Sequence, residues 1–274
     1  MHPYRQYAMK VSRVMSVLLI YLLILLAVFL LQRKMLYFPA RFTQEQQEHL
    51  MPELNLKPWP SLNNLHGVTS GTPLTVVKGT VLVFHGNAGA ALHQAYYIDA
   101  LQRLGYRVIV AEYPGCGARN GSPSEEVLVE DGIATANMAR DEFKGPLFLC
   151  GESLGSGVVA GIVASGKVPV KGLLLVTPFD AMVEVAQHHY WYLLARWLIL
   201  DKYDNVSNLR NFQGRIAVLL AGQDEIIPNR RTLSLFDALP GQKKLWRFEH
   251  AGHNGIPMKP ESQWWQETMA FIDT

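Results

Sequence analysis

The longest apolar run along the chain covers Val14–Leu31, VMSVLLIYLLILLAVFLL, 18 consecutive uncharged residues. As a helix it rises about 27 Å, close to the thickness of a bilayer's hydrocarbon core. No polar interruption marks it as a core helix, and the following Gln32-Arg33-Lys34-Met35 offers no small-residue cleavage site. The pattern predicts an uncleaved signal anchor behind an N-terminal tail, residues 1–13. Arg5, Lys10 and Arg13 before the run balance Arg33, Lys34 and Arg41 after it, so charge alone leaves orientation open. A short basic N-terminus favours a domain on the extracytoplasmic side. Residues 32–64 read as a juxtamembrane connector. Within it Met35, Leu36, Tyr37 and Phe38 suit the headgroup zone, Gln44–Leu50 suits a short helix, and Pro52, Pro58 and Pro60 discourage regular structure beyond.

From about Leu65 to the C-terminus the pattern changes to short apolar runs separated by amphipathic ones. Thr72–Val77, Thr80–Phe84, Tyr106–Ala111, Leu147–Cys150, Gly172–Val176, Ile216–Ala221 and Lys244–Phe248 read as strands. Helices are expected over about 93–104, from a Ser122 or Ser124 cap to about Phe143, after Ser153, and over about 230–239 and 261–272. Strands that are apolar throughout and alternate with helices predict a mainly parallel sheet covered on both faces. The stretch 179–212 breaks the alternation. It carries Tyr190, Trp191, Tyr192, Trp197 and several leucines between two strands, and reads as a mostly helical lid insertion.

Composition narrows the picture further. A formal net charge of +2 and the absence of a basic stripe give no case for nucleic acid. Cys116 and Cys150 do not make a disulfide framework. Paired His188-His189 has no acidic or cysteine partner at ligand spacing and reads as lid surface; no metal or organic cofactor is expected.

The chemistry concentrates in Pro146–Gly157, PLFLCGESLGSG. A buried strand runs into Gly151-Glu152-Ser153-Leu154-Gly155, a G-x-S-x-G pattern in which a tight strand-to-helix turn holds the serine out beside a base. Its flanking residues must be small because strand and helix backbones nearly touch. Two further strand ends supply the partners. Asp224 follows IAVLLA, and His253 lies on the loop after the last strand. The order Ser153, Asp224, His253 fits this motif. Asp180 is a rival acid and His250 a rival base. The backbone N–H of Leu154 is the candidate for one oxyanion donor and that of Asn87, in His85-Gly86-Asn87, for the second. His85 reads as structural, and Tyr113 with Trp191 and Trp197 as candidate lining of an acyl pocket.

HGNAG at 85–89, EYPGCG at 112–117, GESLGSG at 151–157, GQDEIIP at 222–228 and GHN at 252–254 resemble the membrane-anchored, bud-emergence-type branch of the α/β-hydrolases. Prolyl oligopeptidase-like and serine aminopeptidase-like groups share the same core. The resemblance implies an α/β-hydrolase fold with a lid and a serine hydrolase whose triad is Ser153, Asp224 and His253. Two positions depart from it: Glu152 stands where many relatives carry Arg or His, and Cys116 where Tyr or Phe is frequent. The expected activity is cleavage of an ester or thioester in a lipophilic acyl substrate, near the membrane that holds the anchor. A serine peptidase and a non-catalytic binding module are the alternatives.

Overall fold

The computed structural model describes residues 3–274, so residues 1 and 2 of the expected tail lie outside the described residues. A single long helix, α1 (Pro3–Leu36), contains the apolar run. It is followed by β1 (Phe38–Pro39), α2 (Gln44–Glu53), β2 (Leu56–Pro60), β3 (Leu65–Ser70), β4 (Thr80–Phe84) and β5 (Ala88–Gly89). The chain continues through α3 (Ala95–Arg103), β6 (Arg107–Ala111), α4 (Glu125–Glu142), β7 (Leu147–Glu152), α5 (Leu154–Ala164) and β8 (Gly172–Val176). An insertion with α6 (Met182–Tyr190), α7 (Ala195–Leu198) and α8 (Asn205–Leu209) precedes β9 (Arg215–Ala221), α9 (Asn229–Ala238), β10 (Lys243–Phe248) and α10 (Gln263–Asp273).

Eight strands form one sheet in the order β10-β9-β8-β7-β4-β6-β3-β2. The six from β10 to β6 are parallel, and β3 and β2 add antiparallel. Successive side chains on one strand face opposite sides, so an all-apolar strand must be covered twice. On β4, Leu82 and Phe84 join the cluster under α4 and α5, while Val81 and Val83 join the one under α3 and α10. Burying a residue such as Leu82 completely contributes roughly 2 kcal/mol, and the central strands repeat that on both faces.

Three expectations need correction. Thr72–Val77 is not a strand; the pairing segment is β3, just before it. Pro73 deprives the expected run of a ladder donor, and Gly67 lets β3 lie close on β6, where a Cβ would stand 2.4 Å from the Val110 carbonyl oxygen. The prolines at 58 and 60 do not abolish structure: they sit in β2, the sheet's outer strand, where a missing N–H is tolerated. Thus part of the expected connector belongs to the sheet. Finally, Tyr37 does not lie at a membrane interface but is buried in the domain.

α5 crosses β4 so closely that a Cβ on Gly155 would meet the Phe84 carbonyl oxygen at 2.0 Å. Gly155→Ala is therefore expected to destabilise the fold by about 3 kcal/mol or more, measured as the shift in urea midpoint of the detergent-solubilised chain. An unchanged midpoint would contradict this packing.

Candidate active site

Ser153 occupies the turn between β7 and α5 with φ 50° and ψ −117°. This backbone conformation is strained for a residue with a Cβ. Its surroundings hold it there. The Ser153 N–H donates to the Val176 carbonyl at 2.8 Å, and Ser156 returns two hydrogen bonds to the Ser153 carbonyl, from its N–H at 3.0 Å and its hydroxyl at 2.6 Å. Gly151 and Gly155 leave no space for larger side chains: a Cβ on Gly151 would stand 2.6 Å from the Gly155 carbonyl oxygen.

His253 approaches from the loop after β10. Its Nε2 lies 2.9 Å from the Ser153 Oγ, and its Nδ1 lies 2.8 Å and 3.0 Å from the two Asp224 carboxylate oxygens. A carboxylate only accepts, so the proton on Nδ1 points to Asp224 and the lone pair on Nε2 faces the serine hydroxyl. Asp224 is itself oriented: its Oδ1 accepts the N–H groups of Ile226 at 2.9 Å and Ile227 at 2.7 Å. The loops that carry Asp224 and His253 are stitched together, since Gln223 N–H donates to the Ala251 carbonyl at 2.8 Å and His253 N–H to Glu225 at 3.1 Å. Both side chains are shielded, with 8% of His253 and 2% of Asp224 exposed. The rivals stand elsewhere. Asp180 pairs with Arg231 at 3.0 Å, and His250 is exposed.

Leu154 begins α5, so its N–H has no partner within the helix. Gly86 brings the loop after β4 against Ser153, where its ideal Cβ would stand 3.7 Å from the serine's. Leu154, Asn87 and Tyr113 line one small recess together with Tyr37, Pro39, Gly86 and Leu128. Trp191 and Trp197 are not brought there: they are 67% and 74% exposed on the outside of the insertion. Glu152 is half-buried and is held by tyrosines, accepting the Tyr97 hydroxyl at 2.7 Å and that of Tyr96 at 3.1 Å.

One feature escaped the sequence. The end of α1 is sewn to the loop that carries Asn87. The Asn87 side-chain amide donates to the Leu36 carbonyl at 2.7 Å, Phe38 N–H donates to the Asn87 carbonyl at 2.8 Å, and β1 pairs in parallel with β5. Ala40 N–H donates to the Gly89 carbonyl at 2.9 Å, and Gly117 N–H to the Ala40 carbonyl at 2.8 Å. Tyr37 adds a second seam: its hydroxyl donates to Asp201 at 3.0 Å and lies 2.9 Å from the Tyr203 hydroxyl. A two-residue strand has no periodicity to betray it. The signal available was Tyr37 itself, an aromatic residue placed where the domain begins.

Beneath the same loop lie His85, Glu112 and Cys116, all buried, with donor atoms within 4.8 Å of one another. Burial pushes the Glu112 carboxyl up to about 8 and the Cys116 thiol up to about 12, and lowers His85 to about 4. At neutral pH the trio is therefore uncharged, and a cation would have to displace protons to bind. His85 Nδ1 faces the Gly86 carbonyl at 2.9 Å, the Tyr113 hydroxyl donates to the His85 carbonyl at 2.9 Å and Glu112 accepts the Ala91 N–H at 3.1 Å, so these side chains support the loop from below. Cys116 and Cys150 are both free thiols.

The trio makes stability depend on pH. Below 6.5 the unfolded chain binds more protons at His85, so stability falls as pH drops from 6.5 towards 4. For Glu112 the folded state keeps its proton between 4.5 and about 8, so stability falls as pH rises through that window. Between 6.5 and 8 the glutamate acts without the histidine opposing it. Glu112→Gln is expected to flatten that part of the curve, where the wild type loses up to ~1.4 kcal/mol per pH unit. Equal slopes in the two proteins between pH 6.5 and 8 would contradict the buried, protonated carboxyl.

Comparison with known proteins places the chain among proteins of the α/β-hydrolase fold. Residues 75–205 match the family Hydrolase_4, described as serine aminopeptidase, S33. That match includes Ser153 and stops short of Asp224 and His253. The chain is similar to the uncharacterized protein Rv2307c of Mycobacterium tuberculosis (strain H37Rv), 32% identical over 177 residues, which is 64% of this chain and 62% of that protein. It is also similar to the lysophosphatidylserine lipase ABHD12 of Danio rerio, 28% identical over 184 residues, 60% of this chain and 48% of that one. The chain thus spans about half to two thirds of these curated relatives. Among solved structures, the hyperthermophilic esterase of Pyrobaculum calidifontis superposes with a TM-score of 0.58 at 16% identity, covering 84% of this chain and 89% of the esterase.

Proposed function

We propose that this chain, which has the α/β-hydrolase fold and matches Hydrolase_4 over residues 75–205, is a membrane-tethered serine hydrolase that cleaves an ester or thioester of a lipophilic acyl substrate. The observation that carries this reading is the unbroken line of hydrogen bonds from Ser153 through His253 to Asp224. His253 Nε2 takes the hydroxyl proton as Ser153 Oγ attacks the acyl carbon, and later delivers it to the departing alcohol or thiol. Asp224 stabilises the imidazolium that forms between the two steps. The negative charge on the former carbonyl oxygen is met by the N–H groups of Leu154 and Asn87 and by the N-terminal end of α5. A water activated by the same histidine then frees the acid from the acyl-enzyme.

The lipophilic substrate is supported by α1, an N-terminal helix long and apolar enough to cross a membrane. Relatives named lysophosphatidylserine lipase make a lysophospholipid the first natural substrate to test. The peptidase alternative has less support. An aminopeptidase needs a carboxylate free to hold the substrate's amine, whereas Glu152 is held by two tyrosines, Glu225 by the His253 backbone and Asp180 by Arg231.

Ser153→Ala is expected to abolish hydrolysis of medium- and long-chain p-nitrophenyl esters by the full-length protein in detergent. Asp224→Asn, which reverses the tautomer demanded of His253, is expected to lower kcat on the order of 10⁴-fold with little change in KM. Undiminished turnover by Ser153→Ala would refute the reading.

A further inference from the structure

Between the end of α6 and Asp201 the insertion carries a cluster of large apolar side chains turned outward, among them Trp191, Tyr192, Leu194, Trp197 and Leu200. So concentrated a patch marks a surface that meets something apolar. Its position beside α1 says what. The Tyr21 hydroxyl donates to the Tyr192 carbonyl at 2.7 Å. Gln32 Nε2 donates to the Leu198 carbonyl at 3.1 Å, while Leu200 N–H donates to Gln32 Oε1 at 2.8 Å. Arg33 grips Asp201 with two hydrogen bonds, of 3.2 Å and 3.1 Å. The segment therefore runs down the side of α1 from Gln32 to Tyr21.

If α1 spans a bilayer, its depth is fixed. Arg13 and Arg33 bracket the uncharged residues 14–32, about 28 Å of helix, which leaves almost no freedom to slide in a hydrocarbon core of about 30 Å. Tyr21 is 12 residues from Arg33, about 18 Å along the axis. A backbone carbonyl bonded to Tyr21 is then well inside the hydrocarbon.

We infer that residues 191–200 are inserted in the membrane beside α1, with the hydrocarbon of the bilayer as the occupant of their apolar face. This rests on reading α1 as a membrane-spanning helix. In lipid, every backbone polar group needs an internal partner, and much of the segment's backbone has one. The N–H groups of Leu194, Trp197, Leu198 and Ile199 donate to carbonyls within it. Arg196 N–H donates to the Gln187 side chain at 3.3 Å, and further backbone contacts draw on Tyr21 and Gln32, polar side chains that α1 presents on this side. Ser16, another hydroxyl in the run, turns back to its own helix at the Ser12 carbonyl. Arg196 is the one charge between 191 and 200, and its guanidinium reaches back to Glu184 at 2.9 Å, as a snorkelling side chain does. The two ends of the insertion are closed on the catalytic domain, through Met182 N–H to the Lys202 carbonyl and Asn205 N–H to the Asp180 carbonyl, both at 2.9 Å. A single-chain amphiphile would thus meet the protein within its own leaflet, at an element rooted beside the Ser153 helix.

The test is nitroxide labelling of single cysteines in the full-length chain reconstituted in phosphatidylcholine vesicles. Trp191→Cys, Trp197→Cys, Leu26→Cys on α1 and Val76→Cys on a distant exposed loop are compared; the native Cys116 and Cys150 are buried. Labels at 191 and 197 are expected to collide more often with oxygen than with a water-soluble nickel chelate, and the label at 76 the reverse. A water-like ratio at 191 and 197, or spin coupling between copies there, would overturn the insertion. The label at 26 separates the causes: lipid-like at 26 with water-like values at 191 and 197 refutes the insertion alone, and water-like values at all sites refute the membrane helix as well. An unlabelled check uses brominated lipid. Trp59, Trp246, Trp264 and Trp265 are buried, so the double variant Trp191→Phe, Trp197→Phe is expected to lose most of the quenching seen in the wild type. Equal quenching in both would also overturn the proposal.

Discussion

The strained turn at Ser153 is the constraint from which the rest of the site follows. A residue at φ 50° carrying a side chain persists only where its neighbours leave it no alternative. Here the neighbours are Val176 and Ser156 through hydrogen bonds and two glycines through close backbone contact. The turn needs β4 and β8 on either side of β7, and α5 pressed against β4. That in turn requires a sheet buried on both faces. The fold's central strands and the exposure of one hydroxyl to one imidazole are therefore a single problem in packing.

The end of α1 is part of that solution rather than an appendage to it. Residues 36–40 continue from α1 into a hydrogen-bonded seam with the loop holding Asn87, and Tyr37 and Arg33 join Asp201 and Tyr203. Tyr203 in turn packs on α5, where a Cβ on Gly157 would stand 2.4 Å from its ring. One contiguous set of contacts thus leads from α1, the candidate membrane helix, to both backbone segments proposed to hold the oxyanion. Whatever orders the juxtamembrane seam also orders the loop beside the nucleophile.

The parts legible in the sequence were those with a period or a steric signature. Apolar runs such as TVLVF and IAVLLA have nowhere to go but a doubly covered sheet, and glycines at fixed spacing around Ser153 report a close approach of backbones. The order of Ser153, Asp224 and His253 followed because each sits just beyond a strand end. What stayed hidden lacks such marks. β1 is two residues long. β2 contains prolines that only an edge position excuses. Thr72–Val77 looks like a strand by composition and is displaced by a neighbour whose glycine fits the sheet. Trp191 and Trp197 are aromatic in a way that suits a pocket or a bilayer equally, and only the fold shows that they face outward.

The central claim is that Ser153 is an activated nucleophile, and the most direct measurement is the location of a covalent adduct. Full-length protein would be treated briefly with a fluorophosphonate, digested, and its modified peptide sequenced by mass spectrometry. The account predicts phosphonylation at Ser153, lost in His253→Ala. An adduct on a different residue, or none on folded protein, would contradict it.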